Sequence, residues 1–413
     1  MKPQRGKEKT MASQTELTTS RLPAAAGTAP VGPAAAAQKG KRLLFIDNLR
    51  ILLICGVVVQ HLSVTYGAAG SWMYTDPATD QLTSTFLSVY NLIPMAAGMG
   101  FFFLLAGYFT PRSYDRKGGT AFVRDRIIRL GIPWLVYSLL LEPLVVYIAK
   151  GLPGSFWSYY PVYLHRVDSI ADGPIWFVEL LLFFSILYVA WRWLTRARAQ
   201  AASGTGAVPG YRAILGFILT LGLASFVVRL WWPQYSQPGP LNLPLGYLLQ
   251  YVCFYVLGIV AYRRNWLYKL TPRMGRDWAV IALLATLPFF GLVLPYVAIT
   301  GRQAVIEMLG GWHWLSLVYE LWESFVIVGV CLGLLALFRQ RLNHQGKLAK
   351  GLAASAYTVY LIHPVVLVGF AYAFHVVALY PLLKFGIAVL ITLPLCFLIS
   401  GVIRKIPLVN RAL

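Results

Sequence analysis

The sequence predicts an all-α integral membrane protein, a bundle of about ten transmembrane helices. Of its 413 residues, 58% are hydrophobic and only 12% are charged, whereas soluble domains carry roughly 25% charged residues. The apolar residues also form runs of about 20 residues, the length that crosses a bilayer as a helix. These two observations exclude an ordinary soluble protein.

Ten apolar runs follow one another along the chain. They lie near residues 43–67, 86–109, 131–149, 174–194, 212–231, 245–262, 277–299, 315–338, 353–376 and 382–403. The first forty residues contain too few large apolar side chains to offset the entropy of ordering. We therefore expect a disordered cytoplasmic tail at 1–40, one membrane domain at 41–405 and a short cytoplasmic tail at 406–413. Because the first run begins far behind the first basic residues, we expect a retained helix rather than a signal peptide.

The basic residues predict the orientation of the bundle. Alternate connections on one side hold 30 of the 36 lysines and arginines. The other side holds five: Lys150, Arg166, Arg229, Arg302 and Lys384. Because cytoplasmic loops retain the positive charge, both termini are predicted to be cytoplasmic, and the membrane is expected to be the cytoplasmic membrane of a bacterium. The net charge of +21 does not indicate nucleic-acid binding, since the charge is not gathered on one face of a soluble domain.

The four cysteines indicate no disulfide and no metal. Cys55, Cys253, Cys331 and Cys396 all lie within apolar runs. None has the close spacing of a zinc site or the loop setting of a disulfide framework. No metal site is predicted.

The first helix carries the clearest polar set in its stretch FIDNLRILLICGVVVQH. His61 follows Arg50 by eleven positions, and a step of 100° per residue returns to nearly the same face, about 16 Å along the axis. Such a stripe could line a passage between the two compartments. The alternative is structural: Asp47 and Arg50 form an ion pair near the membrane surface, and His61 hydrogen-bonds a neighbouring helix.

Two arginines stand on one face at the cytoplasmic end of the third run. Arg126 and Arg129 are three residues apart, so they are neighbours on a helix. A guanidinium group matches phosphate oxygens with two parallel donors. The pair is therefore a candidate phosphate site, although a basic inner loop also binds anionic lipid head groups.

Acidic and aromatic residues lie near the opposite surface. In GPIWFVELL, Trp176 and Glu179 are one turn apart, and a carboxylate at this depth could orient the imidazole of His61. In WHWLSLVYELWESF, Glu320 and Glu323 are also one turn apart. The surrounding tryptophans need no function, because aromatic residues are common at membrane interfaces.

Taken together, these stretches resemble the acyltransferase-3 superfamily of integral membrane acyltransferases. The resemblance is carried by FIDNLR with Arg50 and then His61, by FFFLLAGYF, by RIIR with the following Ile132 and Pro133, and by SAYTVYLIHP. With the IWF element they span residues 43–365. Their order and placement are more specific than any one motif.

The resemblance implies a membrane enzyme that moves an acyl group, such as acetyl or succinyl, from cytoplasmic acyl-coenzyme A to a hydroxyl of an extracytoplasmic glycan, glucan or lipid. His61 is similar to the family's catalytic histidine, and Arg50 to the arginine of the same motif. The donor phosphates are expected near Arg126 and Arg129. Acyl-coenzyme A is thus expected as a co-substrate, and no bound cofactor is expected. Glu179 is our own prediction for the partner of His61.

The chain departs from the family pattern in two places. Ala106 stands where many relatives have a serine before Gly-Tyr, so any role of that hydroxyl is absent. The chain ends soon after the tenth run, and we expect no appended extracytoplasmic hydrolase-like domain. FIDNLR and the loop before RIIR look most like the glucan-modifying branch.

The SAYTVYLIHP segment contains two further candidates, Tyr360 and His363. Pro364 is expected to kink the ninth helix, and the carbonyl that it frees needs a polar partner. A structural role for His363 is therefore weighed beside a catalytic one.

Two other functions fit a polar membrane bundle. A secondary transporter for an anionic or lipid-linked substrate could line its pathway with Arg50, His61 and Glu179, but paired, interrupted segments in two related halves are not evident. A receptor or scaffold would leave Arg50 and His61 without a task. The expected partners are acyl-coenzyme A, the acceptor and membrane lipids, and the oligomeric state is open.

Overall fold

The computed structural model describes residues 42–166, 173–195, 206–237 and 243–407. In these ranges ten helices are long and apolar enough to cross a membrane, and no strand is present. They are α1 Leu44–Thr65, α2 Gln81–Lys117, α3 Gly119–Ala149, α4 Gly173–Leu194, α5 Tyr211–Arg229, α6 Leu245–Arg263, α7 Pro272–Thr300, α8 Trp314–Arg341, α9 Lys347–Phe374 and α10 Pro381–Ile403. The predicted ten-helix fold is confirmed. The predicted tail at 1–40 lies outside the described residues.

Several helices extend beyond the apolar runs that predicted them. Helix α2 begins five residues before its run because Asp80 caps it, accepting a hydrogen bond of 3.0 Å from the backbone N–H of Thr83. An acidic side chain at this position satisfies an otherwise unpaired helix donor. Helix α3 begins at Gly119 and contains two π-helical turns, Ile127–Gly131 and Tyr137–Leu141. The hydrophobic runs therefore located each helix but not its ends.

Helix α1 packs against four other spanning helices, α2, α8, α9 and α10. Its first turn is fixed by Asn48, whose amide donates to the carbonyl oxygens of Leu342 and His344 at 2.7 and 2.9 Å. The amide of Gln345 donates to Asn48 Oδ1 at 2.9 Å. This part of the FIDNLR motif therefore joins α1 to the α8–α9 connection.

Helices α2 and α6 pack backbone against backbone. A Cβ atom on Gly107 would lie 2.0 Å from the carbonyl oxygen of Tyr255, and one on Gly258 would lie 2.1 Å from that of Leu104. Only glycine permits this approach. Gly107 of the FFFLLAGYF motif thus has a packing role, and the close crossing fixes the position of α6, which carries Tyr247 and Tyr251.

Two of the five basic residues counted on the outer side are buried in ion pairs. Arg229 pairs with Glu320 and Glu323, and Lys384 lies 3.3 Å from Asp76; both basic side chains are 1% exposed. Their charges are therefore compensated inside the bundle. The cytoplasmic placement of both termini stays a prediction from the remaining charges.

Candidate active site

Two histidines from different helices form a hydrogen-bonded pair. His61 Nδ1 on α1 lies 2.8 Å from His363 Nε2 on α9. The two imidazole rings are nearly parallel, with an interplanar angle of 8° and centroids 5.0 Å apart. His363 is fully buried, whereas His61 is partly exposed.

The proton positions of this pair follow from Pro364. A proline has no N–H, so the carbonyl of Tyr360, four residues earlier in α9, loses its helical donor. His363 Nδ1 lies 2.6 Å from that carbonyl oxygen. Because a carbonyl can only accept, Nδ1 of His363 carries the proton, and its Nε2 accepts from His61 Nδ1–H.

The consequence is that the Nε2 atom of neutral His61 carries a lone pair and no proton. In the part of the chain that the structure describes, no hydrogen bond occupies this nitrogen. A neutral imidazole with an accessible, unprotonated nitrogen and an oriented second nitrogen is the arrangement of a general base.

Trp72 covers the histidine pair from the connection between α1 and α2. Its indole stacks on His61 with ring centroids 4.1 Å apart and an angle of 10°, and its centroid is 6.1 Å from that of His363. A side chain stacked in this way restricts rotation of the imidazole. It also limits access of water to the hydrogen bond between the two rings.

The segment that carries Trp72 is anchored by a buried ion pair. Asp76 accepts from Lys384 of α10, and its backbone N–H donates to the carbonyl of Thr65 at 2.8 Å. Lys384 also donates to the carbonyl of His375 at 3.1 Å. Burial and the neighbouring Asp76 raise the pKa of the Tyr66 phenol above its ordinary value. The stacking tryptophan is thus fixed to both α1 and α10.

His61 opens onto a cavity of about 150 Å³, here called the histidine chamber. One wall is a ladder of stacked rings from α4 and α6, with Trp176 and Tyr251 at 5.4 Å and Tyr251 and Tyr247 at 5.7 Å between centroids. Asn91 of α2 and Gln234 also line the chamber. Flat rings beside amide groups suit a ligand with both apolar faces and hydroxyls.

A second cavity of about 370 Å³, here called the arginine cavity, lies next to it. Arg50 of α1 and Arg126 and Arg129 of α3 line it. The three basic residues singled out from the sequence therefore meet in one place. Tyr357 of α9 also lines it, and its hydroxyl donates to the carbonyl of Arg129, within a π-helical turn, at 2.7 Å.

The arginines differ in how strongly they are already engaged. Arg129 is exposed and lies 3.1 Å from a carboxylate oxygen of Asp125. Arg126 stacks over the ring of Phe122 at 4.8 Å, and its Nε is buried without a hydrogen-bond partner. Arg50 lies 4.7 Å from the Phe109 ring centroid and 3.5 Å from Asp47. Arg126 is therefore the arginine best placed to gain from a bound anion.

The two cavities share a partition. Met99 of α2 and Tyr360 of α9 line both of them. The Tyr360 hydroxyl donates to the carbonyl of Pro174 at the start of α4. A molecule that occupies both cavities must therefore pass these two side chains.

Comparison with known proteins identifies the family of the chain. A family model described as an acyltransferase domain, Acyl_transf_3, matches residues 43–401. The chain belongs to the acyltransferase-3 family. The predicted family and enzyme class are confirmed: this is a family of acyltransferases, and the described residues contain ten candidate membrane-spanning helices.

Curated relatives cover only part of this acyltransferase. The glucans biosynthesis protein C of Salmonella paratyphi B, Salmonella enteritidis and Salmonella choleraesuis is in each case 26% identical over 233 residues. The match covers 54% of this chain and 58% of the relative. No solved structure matches the chain.

The acidic candidates stand apart from the histidine pair of the acyltransferase. His363, and not Glu179, lies at hydrogen-bonding distance from His61. Glu179 is partly buried beside the Trp134 indole, and one of its oxygens has no hydrogen-bond partner. Glu320 and Glu323 face Arg229 behind the chamber wall.

The remaining supporting candidates fall at three different places. Asp47 pairs with Arg50 at the arginine cavity. Trp176 belongs to the stacked wall of the histidine chamber, and Tyr360 to the partition. Sequence reasoning placed no function on Trp72, although a tryptophan eleven residues after the motif histidine, in a connection of mostly small and polar residues, was a visible signal.

Proposed function

We propose that this acyltransferase moves an acyl group from acyl-coenzyme A, bound in the arginine cavity, to a hydroxyl of an acceptor in the histidine chamber. The observation that carries the proposal is the unprotonated Nε2 of His61, which lines the histidine chamber and is held in place by His363, whose Nδ1 bonds the backbone of Tyr360 in the partition. A base there can reach a hydroxyl in one cavity and a thioester that extends from the other.

The donor assignment is supported by the chemistry of the arginine cavity. Coenzyme A ends in phosphate groups, which guanidinium groups bind through charge-assisted hydrogen bonds. Arg126 supplies an Nε–H without a partner, and Arg50 adds positive charge across the cavity. Because acyl-coenzyme A is a cytoplasmic metabolite and the basic connections are predicted to be cytoplasmic, the donor enters from that side.

The reaction proceeds by general base catalysis at His61. Nε2 takes the proton of the acceptor hydroxyl as its oxygen attacks the thioester carbonyl carbon, so that a new C–O bond forms. The C–S bond then breaks, and the departing coenzyme A sulfur takes the proton back from Nε2. The products are the acyl ester and free coenzyme A, and His61 returns to its starting state.

His363 positions the base throughout this cycle. While His61 carries a second proton, its Nδ1–H donates a charge-assisted hydrogen bond to His363 Nε2, which is stronger than the neutral bond of the resting state. Trp72 keeps the imidazole plane fixed by stacking. Neither residue needs to touch the reacting atoms.

The acceptor is proposed to be an extracytoplasmic glycan, glucan or lipid with a free hydroxyl. The stacked wall of Trp176, Tyr251 and Tyr247 suits the apolar face of a sugar ring. The name of these relatives, glucans biosynthesis protein C, supports a glucan among these classes. The cytoplasmic membrane of a bacterium is the proposed location.

The test is acyl transfer by purified protein in detergent. Radiolabelled acetyl-coenzyme A and glucose oligosaccharides are supplied, and labelled ester and released thiol are measured. His61→Ala is expected to lower transfer by about 10²- to 10⁴-fold, the usual contribution of a general base. His375→Ala is the matched control, since His375 also hydrogen-bonds a carbonyl three residues earlier in α9 but does not line the chamber.

The result that contradicts the proposal is clear. If His61→Ala folds and transfers label at the rate of the unchanged protein, His61 is not the base. If glucose oligosaccharides accept no label, extraction of labelled glycans and lipids from membranes identifies the acceptor class. If neither pool gains ester, acyl transfer from coenzyme A is refuted.

A further inference from the structure

The histidine chamber is polar but uncharged. Among the described residues that line it there is no lysine, arginine, aspartate or glutamate. Besides the imidazole of His61 and the indole of Trp176, its polar side-chain groups are amides and hydroxyls, from Gln60, Ser71, Asn91, Gln234, Gln237, Tyr235, Tyr247, Tyr251 and Tyr360.

The layer behind the chamber offers no spare positive charge either. Arg229 stacks on the Tyr247 ring at 4.4 Å, but it is paired with both Glu320 and Glu323. One guanidinium thus faces two carboxyl groups. An anion in the chamber would find no cation to compensate the loss of its hydration.

The two cavities consequently differ in the charge that they accept. Arg50, Arg126 and Arg129 line one, whereas no lysine or arginine is among the described residues that line the other. With coenzyme A in the arginine cavity, as in the proposed function, the acyl group is the leading end of the donor. It must pass Met99 and Tyr360 and enter the uncharged chamber.

Unpartnered amide groups in the chamber indicate what else is bound there. Asn91 is 1% exposed; its Nδ2 donates to the carbonyl of Ala69, so its Oδ1 is the free end, and this oxygen has no partner. Gln234 is 2% exposed; one end of its amide bonds the hydroxyls of Tyr247 and Tyr319, and the other has no partner. Buried polar groups of this kind require a hydrogen-bonding partner, which a hydroxyl can supply.

We infer that the histidine chamber admits only uncharged groups, so that the enzyme transfers a neutral short acyl group, such as acetyl, and rejects an acyl group that ends in a carboxylate, such as succinyl. Asn91 and Gln234 hold hydroxyls of the acceptor beside the one that reacts. This inference rests on the proposed function. It identifies the acyl class, which the family alone leaves open.

The experiment compares acetyl-, propionyl- and succinyl-coenzyme A as donors with glucose oligosaccharides as acceptor. We expect kcat/KM for the acetyl donor to exceed that for the succinyl donor by about a hundredfold or more, because a carboxylate is costly to bury without a partner. Propionyl is larger but neutral, so it is expected to resemble acetyl far more closely than succinyl does. If succinyl is transferred within threefold of acetyl, the inference is overturned.

A cation placed in the chamber provides the second arm. Met95 lines the chamber and is partly exposed. Met95→Lys is expected to shift the acetyl-to-succinyl ratio by about tenfold or more toward succinyl, and the neutral control Met95→Gln to leave it unchanged. Gln237→Lys, at an exposed position on the lining, replaces Met95→Lys if that variant does not fold.

A third arm tests the acceptor contact. Asn91→Ala is expected to raise KM for the oligosaccharide about tenfold and to leave KM for acetyl-coenzyme A unchanged, a split that general loss of structure would not produce. A folded lysine variant that does not move the donor ratio, or an Asn91→Ala variant with normal acceptor KM, overturns the corresponding part. Absence of transfer from all three donors instead refutes the proposed function.

Discussion

His363 is the residue whose replacement best tests the reasoning about the histidine pair. Its Nε2 accepts the proton of His61 Nδ1 at 2.8 Å, and its Nδ1–H donates to the Tyr360 carbonyl at 2.6 Å. Leucine has a similar volume but no polar atom. His363→Leu therefore removes the positioning hydrogen bond while it keeps the space filled.

The expected loss of kcat follows from the protonation state of His61 in which its hydrogen bond to His363 is strongest. When His61 carries two protons, its bond to His363 is that of a charged donor, worth roughly 1.5–3 kcal/mol. Each 1.36 kcal/mol of transition-state stabilisation is a factor of ten in rate. We therefore expect kcat to fall by about 10- to 150-fold. KM for acyl-coenzyme A should not change, because His363 does not line the arginine cavity.

A conservative replacement separates this role from packing. In His363→Gln the side-chain oxygen can accept from His61, so kcat is expected to recover by several-fold relative to the leucine variant. Thiol release from acetyl-coenzyme A is measured with a glucose oligosaccharide as acceptor, and thermal unfolding reports whether each variant folds. A folded leucine variant with kcat within threefold of the unchanged protein would refute the tautomer argument, as would a glutamine variant that is no better than leucine.

Three further predictions address the surroundings of the pair. Pro364→Ala restores a backbone N–H, which competes with His363 for the carbonyl of Tyr360. Weakening this hydrogen bond by about 1 kcal/mol should lower kcat about fivefold without lowering thermal stability. Pro394→Ala, in the middle of α10, should leave kcat unchanged, and equal kcat in both variants would contradict the prediction. Arg126→Ala should raise KM for acetyl-coenzyme A by about 10- to 150-fold, and Arg129→Ala should raise it by less, because Arg129 already pairs with a neighbouring acid. With acetyl-pantetheine, which lacks the nucleotide phosphates, neither variant should change KM. An equal rise in KM for both donors would exclude the phosphate role. Trp72→Ala should lower kcat by about 2- to 13-fold, which corresponds to the roughly 0.5–1.5 kcal/mol of an aromatic stack. Trp72→Phe keeps a stacking ring and should retain most of the kcat of the unchanged protein. An alanine variant with unchanged kcat would exclude the stacking role.

The fold could be predicted from the sequence because each membrane-spanning helix is visible as its own apolar run. A lipid-crossing helix needs about 20 apolar residues whatever it packs against, and all ten runs became helices. The ends could not be predicted in the same way. Outside the apolar slab a helix continues as far as its caps and propensities allow, as α2 does from Asp80 to Lys117.

The site could be predicted only in part, because spacing within a helix reveals a face but not the neighbour of that face. Arg50 and His61 were found from their eleven-residue step, and Arg126 and Arg129 from theirs. The partner of His61 was sought at similar depth, and Glu179 met that criterion. The partner that the structure places there, His363, comes from α9, 302 residues further along the chain, and no periodicity reports that contact.

Counting the basic residues in each connection has a similar weakness, because it takes no account of their neighbours in the fold. Arg229 and Lys384 were treated as outer-side charges because they lie near the ends of apolar runs. Both are buried and paired, one with two glutamates and one with Asp76. Counting residues by loop cannot distinguish a solvated charge from one compensated inside the bundle. The distinction matters here because it leaves the described lining of the histidine chamber without a lysine or arginine.

The identity of the orienting group also bears on the direction of proton transfer. In one turnover the base must accept a proton from a hydroxyl and then return it to the departing sulfur. A carboxylate partner would hold that proton on His61 more firmly through its negative charge. A neutral imidazole orients the ring with less penalty for the return step. Pro364 makes this choice possible, because the carbonyl that it frees fixes His363 as a donor on one side and an acceptor on the other.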